Sequence, residues 1–379
     1  GSRAAPLSTG RRRTAEHILT KIWRELLEVE EVGLDDNFFD LGGDSMISVQ
    51  VVLRGKRQGL DIDLQKLFQF QTIRTLASQC EAHDPQAPVS YGNPRKSVRA
   101  EVESEGHVRV SIEQLRAFGR EALQLAGLDA EGAAIVTEVQ LESSLRGQPT
   151  HNIGDIPRYC RRLQSGILNP QPKFTLERET PHSVVIDGDN APGQWVATFA
   201  METAIRKSRE CGFSFVAVRR SNHFGAAGNY VRTAAMKGLL GICTTNGPLV
   251  LAPTGGVTPT FGNNPLAVGI PSQSHFPIVL DMAMTVAPRG KIGLQLAEGR
   301  PLQPGWILDR EGTPTTNLAD LAAGLSAPIG GHKGYGLALV MEVLAGVLSG
   351  AGFCWDHQKH GQVAEGAMDL GHLVIVIDP

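Results

Sequence analysis

The chain has 379 residues, 41% hydrophobic and 20% charged, a balance that excludes a disordered or fibrous protein and leaves room for two or three globular domains. A formal net charge of -3 and a pI near 6.4 give no global basic field, so nucleic acid and anionic membrane are disfavoured as partners. Five cysteines (Cys80, Cys160, Cys211, Cys243 and Cys354) stand singly with no C-x-x-C pair, which argues against a disulfide framework or zinc ribbon, predicts no metal site and fits a reducing cytoplasm.

The opening "GSRAAPLSTGRRR" lacks the apolar centre of a signal peptide, and residues 1–13 read as a tag or disordered leader. Residues 14–29 then place Ile18, Ile22, Trp23, Leu26 and Leu27 on one helical face. A second apolar-periodic run spans Met46 to Leu53 and a third Thr72 to Cys80, so residues 14–82 are expected to form a small all-α bundle near the lower size limit for independent folding. Residues 83–107 are rich in Pro, Ser, Gly and charge and read as a linker; about 25 such residues reach roughly 25 to 30 Å. From residue 108 to 379, helical stretches (111–126, 196–211, 229–237) alternate with the β-rich runs "HSVVID", "FSFVAV", "LLGICTTN" and "PIVLDMA", which predicts an α/β domain. The apolar run from Gly334 carries Glu342 and several glycines, so a buried core helix is expected there, not a membrane span.

In "DNFFDLGGDSM" the paired glycines permit a turn, Asp44 can cap the helix that follows, and Ser45 is left at a helix N-terminus, where an anionic phosphodiester is favoured. Together with "IWRELLEVEEVGLDD", this segment resembles the carrier proteins of nonribosomal peptide synthetases over residues 14 to 80. The resemblance implies 4'-phosphopantetheine on Ser45, holding an acyl group as a thioester. It also implies two partners, a phosphopantetheinyl transferase and an adenylation enzyme.

No G-x-G-x-x-G run follows a strand, so the usual dinucleotide fingerprint is missing. Glycine-rich turns with Asn, Asp and Lys occur instead in "SNHFGAAGNY", "TTNGPLVLAPTGG", "FGNNPLAVGIP", "VLDMAMTVAPRGKI" and "GGHKGYGLAL", and suggest amides and a cation gathered around phosphates. In this order, over 108–379, they resemble the malate/L-lactate dehydrogenase type 2 family, whose relatives include ureidoglycolate and sulfolactate dehydrogenases and piperideine-2-carboxylate reductase. The resemblance implies a homodimer that binds NADPH or NADH in its own α/β fold, not a Rossmann domain. It makes His223 the proton donor or acceptor and His151 the second active-site histidine, roles suited to a side chain that titrates near neutral pH. It places Asn246, Asn264, Asp281, Met282, Ala283 and Lys333 at the cofactor; Arg289 and Lys291 could meet a phosphate or be solvated.

Two departures bear on the substrate. The family reads S/T-H-G-x-x-R, the arginine gripping a substrate carboxylate, whereas "THNIGD" puts Asn152 at the glycine and Asp155 at the arginine. The sequence also closes at "HLVIVIDP", where family members continue through a further segment of the cofactor site. A carboxylate facing a free 2-oxo acid at about 4 Å would repel it by roughly 4 kcal/mol at an effective dielectric near 20. A thioester on Ser45 has no such carboxylate, and Asp155 is then expected to hold an amine or iminium of the tethered group.

The expected activity is therefore an NAD(P)H-dependent reduction of a C=N or C=O bond in an aminoacyl-type substrate tethered to the chain's own carrier. One rival is reduction of free 2-imino or 2-oxo acids, the carrier serving another step. Another is a non-catalytic docking protein, which would have no need to bind NAD(P)H.

Overall fold

The computed structural model describes residues 9–27, 29–43, 45–82, 109–274, 276–323, 325–355 and 367–379. Two compact units divide the chain near Val108, and residues 83–107, read as a linker, lie outside the described residues.

In the first unit α1 (Thr9–Leu27), α2 (Ser45–Arg57), α3 (Leu64–Gln69) and α4 (Ile73–Ala77) are joined by a short antiparallel pair, β1 (Leu60–Asp61) with β2 (Glu81–Ala82). Leu19, Ile22 and Trp23 of α1 are buried at i, i+3 and i+4 and meet Phe38, Val51, Ile62, Leu67, Ile73 and Leu76 in one core. The rings of Trp23 and Phe38 lie 4.8 Å apart. Asp63 caps α3 by accepting from the Lys66 amide, and Thr72 caps α4 by accepting from that of Thr75. Gly43 lies against Phe38 so closely that a Cβ there would fall 2.4 Å from the ring, so the backbone entering α2 rests on the aromatic core. Ser45 opens α2 at that point. Its side chain, and the cap expected of Asp44, lie outside the described residues.

The second unit holds α5 (Ile112–Leu125), α6 (Ala130–Leu145), α7 (Ile156–Gln164), α8 (Gly193–Cys211), α9 (Gly228–Met236), the first turn of α10 (Arg289–Ala297) and α11 (His332–Glu342), while Gly293–Pro301 group with the first unit. Its sheet comprises β3 (Thr175–Glu177), β4 (Ser183–Asp187), β5 (Phe213–Ser221), β6 (Leu240–Thr245), β7 (Leu266–Ile270), β8 (Ile278–Met282) and β11 (Leu370–Ile377); β9 (Ile307–Leu308) and β10 (Pro314–Thr315) pair separately. The seven strands run in the order β3-β4-β5-β11-β6-β7-β8, with β4 and β5 parallel and the other neighbours antiparallel. The last strand in sequence thus lies at the centre, where Leu373, Val374 and Val376 are buried, Ile375 is half-buried and only Ile377 at the strand end is exposed, so strict alternation is not needed. Val196, Ala197, Ala200, Met201 and Ala204 of α8 pack on Val184, Ile186, Val216, Val218, Val374 and Val376.

The helix expected to be wholly buried after Gly334 is only half covered in the single chain. Gly334, Ala338, Met341 and Ala345 face inward, while Leu337, Val340, Val343 and Val347 form an exposed apolar stripe that runs from α11 into a π turn at Val343–Val347. Among the described residues no helix is long and apolar enough to cross a membrane.

Candidate active site

His151 and His223 reach one place from segments 72 positions apart. His151 precedes a 3-10 turn at Ile153–Asp155 that leads into α7, and His223 follows the end of β5. Their rings stack with centroids 5.1 Å apart and planes 10° from parallel. Asn152, where the resemblance expects glycine, acts locally. Its Oδ1 accepts from the Gly154 amide at 2.8 Å and its Nδ2 donates to the Pro149 carbonyl at 2.9 Å, which fixes the turn. The Thr150 hydroxyl lies 2.9 Å from His151 Nδ1.

One helical turn beyond Asp155, α7 supplies two side chains that sequence reasoning did not assign. Tyr159, buried, brings its hydroxyl to 2.8 Å from His223 Nδ1. Arg158 brings one Nη2 to 3.4 Å from the same nitrogen, 3.4 Å from the Tyr159 hydroxyl and 3.3 Å from Asp155 Oδ2. Asp155 is therefore half of an ion pair, with side chains 46% exposed at Arg158 and 26% at Asp155. The signal for both residues was present in "IPRY", at i+3 and i+4 from Asp155, but only the tertiary fold brings them to a histidine 64 positions away.

The basicity of both histidines is depressed. For His223 the causes are burial first, then the charges of Arg158, His151, Arg162 and His372, and the shift is large. For His151 burial again leads, partly offset by Asp155. Both rings are thus neutral at neutral pH. Arginine can only donate, and a buried phenol holding its proton donates as well, so His223 Nδ1 is an acceptor and its ring proton sits on Nε2. Burial raises the Tyr159 phenol above its ordinary range, which keeps it protonated.

The loop carrying His223 is held from three sides. Asn222 Nδ2 donates to Asn190 Oδ1 at 2.8 Å and to the Ala191 carbonyl at 3.0 Å, and its Oδ1 accepts from Arg162 Nη2 at 3.4 Å. Gly193 opens α8 against the backbone of Asn222 and His223, where a Cβ would lie 2.1 Å from the Asn222 carbonyl oxygen. Beneath the loop, His372 of β11 is fully buried between Thr245 Oγ1 (2.8 Å from Nδ1) and Ser221 Oγ (2.6 Å from Nε2) and stacks on Phe224. The Thr245 hydroxyl lies 2.9 Å from each of two carbonyls, to which it donates, so it accepts from Nδ1–H and Ser221 donates to Nε2. Burial lowers His372 to about 3, so it is a neutral strut.

The residues expected at the cofactor divide into two groups. Asn246 and Asn264 are buried: Asn246 Nδ2 donates to the Gly352 carbonyl at 2.8 Å and its Oδ1 accepts from the Gly371 amide at 2.9 Å, while Asn264, at φ 31°, donates to the Ala338 carbonyl at 3.0 Å. Both also meet Glu342, at 3.4 Å from Asn246 and 2.7 Å from Asn264, and the Glu342 carboxylate takes the Cys354 amide at 2.8 Å as well. These asparagines brace the two Gly-Asn loops from within. Asp281 Oδ2 accepts from the Gly228 amide at 2.8 Å at the N-terminus of α9, and burial raises its pKa against the pull of that bond and of Gln148. Met282 packs on the apolar cluster of Val250, Leu251 and Phe261, and Ala283 is half-buried. Lys333 is exposed in the first turn of α11, which two glycines of positive φ, Gly330 and Gly331, lead into and which no side chain caps. That donor set, a cation beside a helix N-terminus without a side-chain cap, fits a dinucleotide phosphate. Lys291 instead lies over the Trp306 ring at 5.2 Å, and Arg289 is half-buried.

Residues 110–379 match the malate/L-lactate dehydrogenase family and residues 17–80 the phosphopantetheine attachment site. Malate dehydrogenase of Pyrococcus horikoshii is 36% identical over 72% of this chain and 77% of its own length. Ureidoglycolate dehydrogenase (NAD(+)) of Escherichia coli K12 is 34% identical over 72% of this chain and 77% of its own. Among solved structures, delta1-piperideine-2-carboxylate reductase of Pseudomonas syringae is similar at a TM-score of 0.68 and 31% identity, covering 72% of this chain and 82% of that one. The dehydrogenase match runs through more than two thirds of the chain, with the phosphopantetheine attachment site before it, and the chain belongs to the malate/L-lactate dehydrogenase family of NAD(P)-dependent oxidoreductases.

Proposed function

We propose that the chain is a reductase for a C=N or C=O bond in an aminoacyl-type group carried as a thioester on the phosphopantetheine of Ser45, within a nonribosomal peptide-type assembly in the cytoplasm. The observation that carries this reading is the ion pair of Asp155 and Arg158 beside His223: where the family expects a lone cation for a substrate carboxylate, this site presents a neutral pair. A thioester carbonyl needs no cationic partner, so the pair suits a tethered substrate better than a free acid. Arg158 takes Asp155 Oδ2, and Oδ1 is available to the nitrogen of an amine or iminium. His223 donates its Nε2 proton to the reacting nitrogen or oxygen, and His151, stacked alongside, covers one side of the site.

The nicotinamide cofactor supplies hydride when bound, in a site that is not a Rossmann domain. Lys333 and the first turn of α11 hold its phosphates, with Asp281, Met282 and Ala283 alongside and Asn246 and Asn264 shaping the loops. The segment 83–107 acts as a linker between carrier (14–82) and reductase (108–379), making delivery intramolecular at an effective concentration on the order of millimolar. The apolar stripe of Leu337, Val340, Val343 and Val347 supports a homodimer.

A second reading rests on Arg158 itself, which is 46% exposed and close enough to His223 to take a free carboxylate once Asp155 turns away. Both readings meet one test. Ser45 is converted to the holo form by a phosphopantetheinyl transferase, loaded with 2-imino and 2-oxo acyl groups, and NADPH and NADH oxidation is followed beside the same acids offered free. A two-dalton gain confined to the tethered acyl group, and lost in Ser45→Ala, supports carrier-bound reduction. Turnover of the free acids alone would make the carrier a passenger.

A further inference from the structure

We propose that Tyr159 is a positioning residue that makes His223 a donor through Nε2 and then passes its own proton to Nδ1 as that donation occurs, Arg158 holding the phenolate left behind. The inference rests on the reductase reading but not on whether the substrate is tethered.

The His223 ring is neutral at rest, and one of its nitrogens faces two donors, the Tyr159 hydroxyl at 2.8 Å and Arg158 Nη2 at 3.4 Å. Its single proton is on Nε2. If that proton were given to the substrate with nothing else moving, the ring would be left as an imidazolate, an anion that a half-buried site solvates poorly. The 2.8 Å contact supplies the remedy, because a phenol donating along it can pass its proton to Nδ1. As the substrate carbon accepts hydride from the reduced nicotinamide, the π bond breaks toward nitrogen or oxygen and that atom takes the Nε2 proton. The Nε2–H electron pair stays on the ring, Nδ1 takes the phenol proton, and the ring ends neutral as the other tautomer. The negative charge rests on the Tyr159 oxygen, 3.4 Å from Arg158 Nη2, and is discharged when water returns a proton to Nε2 and the Nδ1 proton moves back to the phenolate. One hydride and one proton enter the substrate, one proton is drawn from solvent, and the enzyme is restored.

Arg158 thus acts twice. Its charge disfavours an imidazolium at His223, the form that would make a relay unnecessary, and it stabilises the phenolate that the relay produces. Asp155, paired with the same guanidinium, orients it toward the ring. His372 cannot substitute for Tyr159, since its nitrogens are taken by Thr245 and Ser221.

The test uses the full holo chain. In the resting protein, with no substrate and no nicotinamide added, nitrogen NMR of ring-labelled histidine, assigned by His223→Gln, is expected to show His223 with Nε2 protonated and Nδ1 bare. In Tyr159→Phe, which keeps the buried ring, a substantial Nδ1-protonated fraction is expected. With whichever substrate turns over, wild-type kcat is expected to depend on the deuterium fraction of the solvent along a bowed curve, two protons moving together. In Tyr159→Phe it becomes a straight line, with kcat down about 100-fold and NADPH or NADH affinity unchanged. A resting His223 protonated on Nδ1 overturns the proposal. So does a Tyr159→Phe enzyme within twofold of wild-type kcat, or one whose isotope curve stays bowed. If only free acids are reduced, tethering fails while these readouts still decide the relay.

Discussion

Removing the Asp155 carboxylate isolates the charge of Arg158 and shows what the pair does to substrate choice. At 3.3 Å and an effective dielectric near 20, the two charges interact by about 5 kcal/mol as an upper bound. With Arg158 46% exposed and the pair at i,i+3 spacing, solvent and salt cut its worth to about 1 kcal/mol or less, so Asp155→Ala is not expected to unfold the site. The substrate sees more. To an incoming carboxylate the intact pair is neutral, whereas in Asp155→Ala the guanidinium acts alone. At about 4 Å that is up to about 4 kcal/mol of attraction, or about 1 to 2 kcal/mol after the same discount. The KM for free 2-oxo and 2-imino acids should therefore fall about 5- to 30-fold, and further in Asp155→Arg. Steady-state kinetics on the free acids beside single turnover of acyl groups loaded on Ser45 provide the assay. Tethered turnover should drop in the same variant, because a cationic substrate nitrogen loses its partner. A free-acid KM that stays put or rises refutes the charge argument, and unchanged tethered turnover refutes the contact with a cationic group.

Gly193→Ala drives a methyl to 2.1 Å from the Asn222 carbonyl oxygen, so the His223 loop must move; kcat is expected to fall at least 100-fold and thermal stability by about 1 to 3 kcal/mol, read by kinetics and a melting curve. Glu342→Gln leaves one oxygen for donors on Asn246, Asn264 and Cys354, so NAD(P)H affinity, followed by fluorescence titration, should weaken along with stability, by about 1 to 3 kcal/mol for the unsatisfied donor. His372 titrates near 3 when folded and near 6.5 unfolded, so the unfolded chain binds the extra proton between those values and stability present above pH 6.5 is lost as pH falls. By pH 5.5 this one residue accounts for about 1.4 kcal/mol of the loss, which urea titrations at pH 7.5 and 5.5 should show removed in His372→Gln.

Much of the fold was legible where one side of an element meets water. Ile22 and Trp23 gave α1 its stripe, and "HSVVID", "FSFVAV" and "PIVLDMA" became β4, β5 and β8. α6 was missed because its buried face mixes Thr137, Gln140 and Ser143 with Ala133, Val136 and Leu141 while the apolar Ala134, Ile135 and Val139 lie half-buried beside it, which erases the contrast in hydropathy that reveals an amphipathic helix. α11 was misread in the opposite sense. Its apolar residues surround the helix, so composition implied full burial, yet within the single chain only the face of Gly334, Ala338 and Met341 is covered. Composition records how apolar a helix is, not whether its partner lies in the same chain.

At the site, sequence patterns found the residues that sit in recognisable runs and missed the ones that set their state. His151 and His223 were named, but nothing local indicates that the two rings stack, since the contact spans 3-10 turn, helix and sheet. Asn152 and Asp155 stood out as departures from a pattern, and a departure reads as a loss until its local partner is seen. Asn152 ties Pro149 to Gly154, which glycine could not do, and Asp155 holds Arg158. The cation that the pattern lacks at position 155 is therefore present three residues later, shifted by one helical turn and neutralised by the residue that replaced it. That cation lies beside the histidine's Nδ1, where its charge, after burial, helps to keep the ring neutral. On the proposed reading, such a site keeps a proton donor at His223 while presenting no net charge to a free acid, the combination that would suit a carrier-bound substrate.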